Sequence, residues 1–269
     1  MKYMTFNSSC SFAGVANMLA VYGVELEDRE LALRMKLPYL FARDETGYLA
    51  GAMLQTAEWF DLGLRPLGFR LREEALDPAD VAAYLRCRRT AMLGLRVTPR
   101  NKHAVVYTGC ENGALYFLNN KRAQEEAPEQ LLLTEAELRE RIDAPCMVAT
   151  LEPAAPQATD FAPLLHRSLE VLGQMHRELV DFCAAPHPTE EVFARMNPLF
   201  RPLLVDGIAM AGLLGETELQ TRLTAVQTAF LTALRSGAEV LTLSELLPME
   251  MLQEAVADYA SLIQKELKA

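Results

Sequence analysis

Phe12, Val15, Ala16 and Leu19 recur at intervals of three and four, the spacing of one buried face of an α-helix. Ser8 or Ser9 stands where such a helix is capped, and Gly23 supplies its stop. A second helix is predicted over 28–37, halted by Pro38, and a third over 47–62, where Leu49, Met53, Ala57 and Phe60 are apolar. The pattern then changes. Residues 64–71 predict a strand, 78–87 a short helix with proline in its first turn, and 91–97 another strand. The β-rich runs 103–110 and 114–118 flank Glu111-Asn112-Gly113, and Asn-Gly between such runs predicts a tight hairpin. Thr134-Glu135-Ala136-Glu137 opens a helix over 134–142 with the reciprocal capping pattern, and 146–151 closes as a strand. Helices followed by a mainly antiparallel sheet predict an α+β domain.

Beyond Pro153-Ala154-Ala155-Pro156-Gln157-Ala158-Thr159 only helical patterns are found, over 161–183, 190–196, 198–214, 216–236 and 245–267. Gly215, Gly237, Pro186, Pro188 and Pro248 mark the turns, and a helical bundle is the expected outcome. The expected organisation is therefore a domain at 1–152, a Pro/Ala linker at 153–160 and a helical bundle domain at 161–269. Charge divides at the same place: residues 1–152 carry 18 basic and 21 acidic side chains, and 153–269 carry 8 and 15.

The whole chain of 269 residues has a formal net charge of −10, which repels phosphate backbones and anionic lipid, so neither nucleic acid nor a membrane surface is an expected partner. No apolar run approaches the roughly 20 residues of a membrane span. The stretch 12–22 is interrupted by Asn17 and followed by no small-residue cleavage site, unlike a secretory signal. The 5 cysteines, at 10, 87, 110, 146 and 183, form neither a CxxC pair nor a disulfide framework, which points to a reducing, cytoplasmic setting. With no GxGxxG, P-loop or HExxH, no nucleotide, metal or other cofactor is expected.

Candidate chemistry starts at Cys10, at the predicted start of the first helix. Unpaired amides and the helix dipole favour a negative charge there, and the thiolate is the nucleophilic form of cysteine. His103 opens a strand after Arg100-Asn101-Lys102 and before the apolar Ala104-Val105-Val106, where an imidazole can serve as general base. Asn119 lies 16 positions further on, a separation that brings it beside His103 across the Asn112-Gly113 hairpin. Its amide oxygen can hold the imidazole tautomer by accepting from the ring N–H. Asn120 competes for that role, pointing to the opposite face.

The segment Cys10-Ser11-Phe12-Ala13-Gly14-Val15-Ala16-Asn17-Met18-Leu19-Ala20-Val21-Tyr22-Gly23 resembles the cysteine helix of papain-like bacterial proteins, most of all the double-glycine leader peptidases. His103-Ala104-Val105-Val106-Tyr107-Thr108-Gly109 and Gly113-Ala114-Leu115-Tyr116-Phe117-Leu118-Asn119 resemble the same family's histidine and aspartate strands. The resemblance covers most of residues 1–152 and implies a papain-like fold with a Cys10, His103, Asn119 triad. The chain departs from the family at three places. Met4 stands where the family has a glutamine that lines the oxyanion hole, Asn119 stands for its aspartate, and Ser9 and Ser11 flank the cysteine. Asn7, or the Cys10 backbone N–H alone, is the expected oxyanion donor. The domain order also resembles the butirosin-pathway acyltransferases, which implies an acyl-carrier protein as partner.

Three readings follow. The first is a peptidase or amide hydrolase acting on a peptide or acyl-amide through a Cys10 thioester, with His103 as base. The second is an aminoacyl acyltransferase taking its group from a carrier-protein thioester. The third is a papain-like module that binds peptide without catalysis. The helical part supplies a surface for a homo-oligomer in any of them. Elsewhere the bland reading prevails. His166, His176 and His187 lie in the helical part, and the first two fall about 80° apart on a helix, a poor chelate. Glu170, Glu178 and Asp181 are expected on a solvated acidic face, and Trp59, Phe60, Met196, Met210, Met249 and Met251 in packing. Arg86, Arg88 and Arg89 form a small basic patch suited to an acidic carrier.

Overall fold

The computed structural model describes residues 1–98 and 101–269. Its contacts divide the chain into two compact units, Met1–Met35 with Gln55–Thr159, and Lys36–Leu54 with Asp160–Ala269. Segment 36–54, expected in the first domain, thus belongs to the second unit.

The first unit is α+β, as the order of patterns predicts. Six strands form one antiparallel sheet in the spatial order Phe69–Leu76, Cys146–Pro153, Ala91–Thr98, Asn101–Glu111, Ala114–Asn119, Gln130–Leu133. Asn112 and Gly113 take φ of 51° and 83°, the two positive angles that a two-residue hairpin matching the strand twist requires, and Glu111 pairs with Ala114 across the turn. Asp77 caps the helix Pro78–Arg86, and Thr134 and Glu137 cap Glu135–Arg141 reciprocally. These two helices cover one face of the sheet, where Val81, Leu85, Leu138, Leu93, Tyr107 and Phe117 form the core.

The helix Cys10–Val21 packs against strands Asn101–Glu111 and Ala91–Thr98. Eight of its residues, from Phe12 to Leu19, are buried, and Phe12 lies 4.8 Å from the ring of Phe60. Contact with the sheet is close at Gly14, where a Cβ would fall 2.3 Å from Met92 Sδ and 2.6 Å from Asn120 Nδ2. Only a glycine fits there without displacing its neighbours.

The second unit holds the main correction to the expected elements. Residues 47–62 are not one helix. Gly47–Ala50 pairs antiparallel with Phe41–Asp44, and the next α-helix, in the first unit, starts only at Ala57. The cause is turn chemistry: Asp44 Oδ1 accepts from the amides of Thr46 and Gly47, and Gly47 and Gly51 take φ of 137° and 50°. A side chain that substitutes for the next backbone turn competes with a helix. Tyr48 and Ala50 are buried in alternation, the period of a strand. Ser168 ties this hairpin to the helix Ala162–Ala184, its Oγ accepting from Phe41 N–H at 2.8 Å and donating to the Tyr39 carbonyl at 2.6 Å.

The remaining helices, chiefly Thr217–Leu234 and Met249–Leu267, pack with Ala162–Ala184 around Tyr259, Phe200 and Phe230. Two differences from the all-helical expectation are small. Pro186–Pro188 pairs with Val240–Thr242, and Met196–Phe200 and Pro202–Gly207 are π-helical before the α-helix Ile208–Leu214. Prolines at 198 and 202 withhold N–H donors from the regular ladder there.

Candidate active site

Cys10 is the first residue of its helix, and the loop before it is fastened from beneath. Ser9 does not cap the helix with its side chain. Its hydroxyl donates instead to the Phe6 carbonyl and, at 2.8 Å, to Asp28 Oδ2. The same fully buried carboxylate accepts from Thr5 N–H at 2.7 Å, Thr5 Oγ1 at 2.6 Å and Arg29 N–H at 2.7 Å. Four donors on one carboxylate thus fix the turn that delivers Cys10, in which Ser8 takes a left-handed φ of 59°.

His103 lies near the start of the strand Asn101–Glu111, and Val105, two residues on and so on the same face, is the cross-strand partner of Asn119. That register brings His103 Nδ1 to 3.1 Å from Asn119 Oδ1. Asn119 is fully buried, and its Nδ2 donates to the Pro128 carbonyl at 3.0 Å. A carbonyl only accepts, so the amide nitrogen must face Pro128 and the amide oxygen His103. The hydrogen then sits on Nδ1, and Nε2 presents a lone pair, the form a general base needs. In the resting chain this lone pair accepts from Asn101 Nδ2 at 3.1 Å. Asn120 takes the other face: its Oδ1 accepts from Asn17 Nδ2 at 3.0 Å, on the Cys10 helix. Arg100, part of the polar approach to His103, lies outside the described residues.

Cys10 and His103 line one cleft of about 440 Å³, with Ser11, Gln55, Glu73 and Met147 among its other walls. The remaining cysteines differ. Burial pushes the thiol of Cys146 up to about 11 and that of Cys183 up to about 12, while Cys87 and Cys110 are exposed outside this cleft.

Asn7 is not in the cleft lining. It is exposed, and its amide oxygen accepts from Arg122 at 3.5 Å. Nor does Met4 reach it, being held through its backbone N–H on the Lys121 carbonyl. The basic patch is also engaged: Arg86 pairs with Glu135, Arg88 lies 4.1 Å over the ring of Tyr84 and Arg89 5.0 Å over that of Tyr22. In the helical unit, His187 stacks on Phe182 at 3.9 Å and meets Glu191 at 3.2 Å, and burial lowers the pKa of His176. Glu178 bonds Tyr48 at 2.9 Å between Arg43 and Arg195, so it is neither free nor simply solvated. Gln55 and Asp28 carried no signal in the sequence. A glutamine before a helix and an aspartate in a first turn are ordinary, and only the fold brings them to Cys10.

No family model matches the chain, and neither does any curated protein. Among solved structures it is similar to the peptidase domain of Streptococcus ComA, a bifunctional ABC transporter of a quorum-sensing pathway, at 16% identity and a TM-score of 0.41, covering 56% of this chain and 96% of that one. It is similar also to a double-glycine-motif protease from an AMS/PCAT transporter, crystallised with its leader peptide, at 12% identity and a TM-score of 0.38, covering 56% and 89%. A third likeness is to a periplasmic domain of the EpsAB fusion protein of the Vibrio vulnificus type II secretion system, at 11% identity and a TM-score of 0.30, covering 53% and 46%.

Proposed function

We propose that the chain is a cysteine-dependent acyl-transfer enzyme, a peptidase or amide hydrolase, with Cys10 as nucleophile, His103 as base and Asn119 as the residue that orients His103. The observation that carries this reading is the His103–Asn119 hydrogen bond in a cleft that His103 shares with Cys10. His103 Nε2 takes the Cys10 proton, and Sγ attacks the carbonyl carbon of a peptide or acyl-amide. The C–S bond forms and the C=O π pair moves to oxygen. Collapse of that intermediate breaks the C–N bond, and His103 returns its proton to the leaving amine, leaving a thioester. Water attacks the thioester while His103 accepts its proton, and the acid and the thiol are released. An amine in place of water makes the same chemistry a transfer. For the carrier-protein version of that transfer, the small basic patch is weakened by the pairing of Arg86 with Glu135, while Arg88 and Arg89 stack on tyrosine rings and stay exposed.

Labelling with iodoacetamide at about pH 6, read residue by residue by mass spectrometry, tests the assignment. Cys10 is expected to be alkylated at least tenfold faster than the exposed Cys87 and Cys110, and His103→Ala is expected to remove that advantage. A Cys10 that reacts no faster than those two, and is indifferent to His103, overturns the enzyme reading and leaves a peptide-binding module.

A further inference from the structure

We infer that Gln55 supplies the side-chain oxyanion donor of this cleft, replacing a donor that positions 4 and 7 do not provide. The inference rests on the acyl-transfer reading above. Attack by Cys10 puts a negative charge on the substrate oxygen, and a donor set in advance toward that oxygen contributes a large part of such catalysis. The Cys10 backbone N–H, at the helix start, is one donor. Asn7 is exposed and bonded to Arg122, and Met4 has no polar side chain to offer. Gln55 is exposed too, but it lines the cleft beside Cys10, which Asn7 does not.

Its position is held from two sides. The next residue, Thr56, is the N-cap of the helix Ala57–Leu64, which is anchored by Ala57 N–H on Glu73 Oε2 at 3.1 Å and by Phe60 against Phe12 of the Cys10 helix. The amide itself is oriented by Ser11, whose hydroxyl donates to Gln55 Oε1 at 2.9 Å. With the oxygen end turned to Ser11, Nε2 has no protein partner among the described residues and is the end left to the cleft. A serine directly after the nucleophile thereby acquires a purpose: it turns the glutamine so that it donates.

The test compares two reactions of the same sulfur in the full chain. Acetylation of Cys10 by p-nitrophenyl acetate passes through a tetrahedral oxyanion, whereas alkylation by iodoacetamide does not. Gln55→Ala, and Gln55→Met, which keeps the length but removes the N–H, are expected to slow acetylation of Cys10 tenfold to a hundredfold, with alkylation within twofold of wild type. Ser11→Ala is expected to give a smaller loss of the same kind, and Asn7→Ala none. Acetylation within twofold of wild type in both Gln55 variants overturns the inference. So does an equal slowing of both reactions, which marks a structural effect on the thiol. Failure of the underlying reading looks different: His103→Ala then leaves both rates of wild-type Cys10 unchanged, and the Gln55 role falls with it.

Discussion

In the first unit the fully buried polar side chains Ser9, Asp28, Asn119 and Asn120 bond to groups far away in sequence; the bond from Ser9 to Asp28 spans 19 residues and that from Asn17 to Asn120 spans 103. In the second unit the hydroxyls of Thr221, Thr224, Thr228 and Thr232 each donate to the carbonyl four residues back on their own helix. Bonds of the first kind fix one segment against another, so they can hold a nucleophile and its base in register. Bonds of the second kind satisfy a group without positioning anything. The cysteines divide in the same way. Cys10 lines a cleft at a helix start, whereas Cys183 is fully buried with its thiol pushed up to about 12, an environment that suppresses nucleophilicity.

The largest expected effect attacks the cross-chain bonding of the first unit at Asp28. Asp28→Ala removes the buried acceptor shared by the Thr5 N–H, the Thr5 hydroxyl and the Ser9 hydroxyl, for an expected loss of about 2–3 kcal/mol. Urea unfolding measures that loss. Because the turn carrying Cys10 is released, the selective labelling of Cys10 at about pH 6 is expected to fall at urea concentrations where the variant is still folded. Retained selectivity in a destabilised variant would show that Asp28 serves stability alone.

How much of this was readable in the chain follows from which interactions are local. The Asn112-Gly113 hairpin, the Thr134/Glu137 capping box and the Phe12-to-Leu19 face are encoded within a few residues, and the structure has each of them. The proximity of His103 and Asn119 could be read because a two-residue hairpin converts sequence separation into register. The helix expected over 47–62 failed because Leu49, Met53, Ala57 and Phe60 keep a helical spacing although the strand buries Tyr48 and Ala50, and the deciding signal was the Asp44 side chain and two glycines rather than hydrophobicity. The allegiance of 36–54 to the second unit rests on partners more than a hundred residues away, Ser168 and Glu178 among them. Gln55 was invisible for the same reason, since its partner is Ser11.

Buried polar groups of the second unit include Ser168, which reaches across its fold to Phe41 and Tyr39, and Asp206, whose partner Arg201 is only five residues away; Asp206 gives the next effect in size. Asp206 is 2% exposed, and burial raises its carboxyl from 3.8 to about 6, in spite of Arg201 at 3.2 Å. A carboxyl whose folded value is raised favours the native state when protonated, so its contribution is present below about pH 4 and is lost as pH rises toward about 6. A rise of that size corresponds to on the order of 2–3 kcal/mol. Relative to Asp206→Asn, the wild type is expected to lose that much stability between about pH 4 and pH 7, as read from urea midpoints at each pH. A flat difference between the two proteins across that range refutes the assignment.

The smallest effect sharpens the comparison inside the site itself. Among the hydrogen bonds around His103, that from Asn101 is local, two residues away, and it occupies the Nε2 lone pair that the proposed base role would use. The bond from His103 to Asn119 is the long-range one, and it orients the ring. Removing the first should therefore help the base, and removing the second should harm it. A net hydrogen bond of about 1 kcal/mol corresponds to roughly a fivefold change in the population whose Nε2 is left unbonded. Because Asn101 is exposed, the lower part of that range is expected, a two- to fivefold faster alkylation of Cys10 at about pH 6 in Asn101→Ala. Asn119→Ala is expected to slow the same reaction. If both variants slow it, Asn101 helps to place the ring, and local and long-range bonds at this imidazole act together.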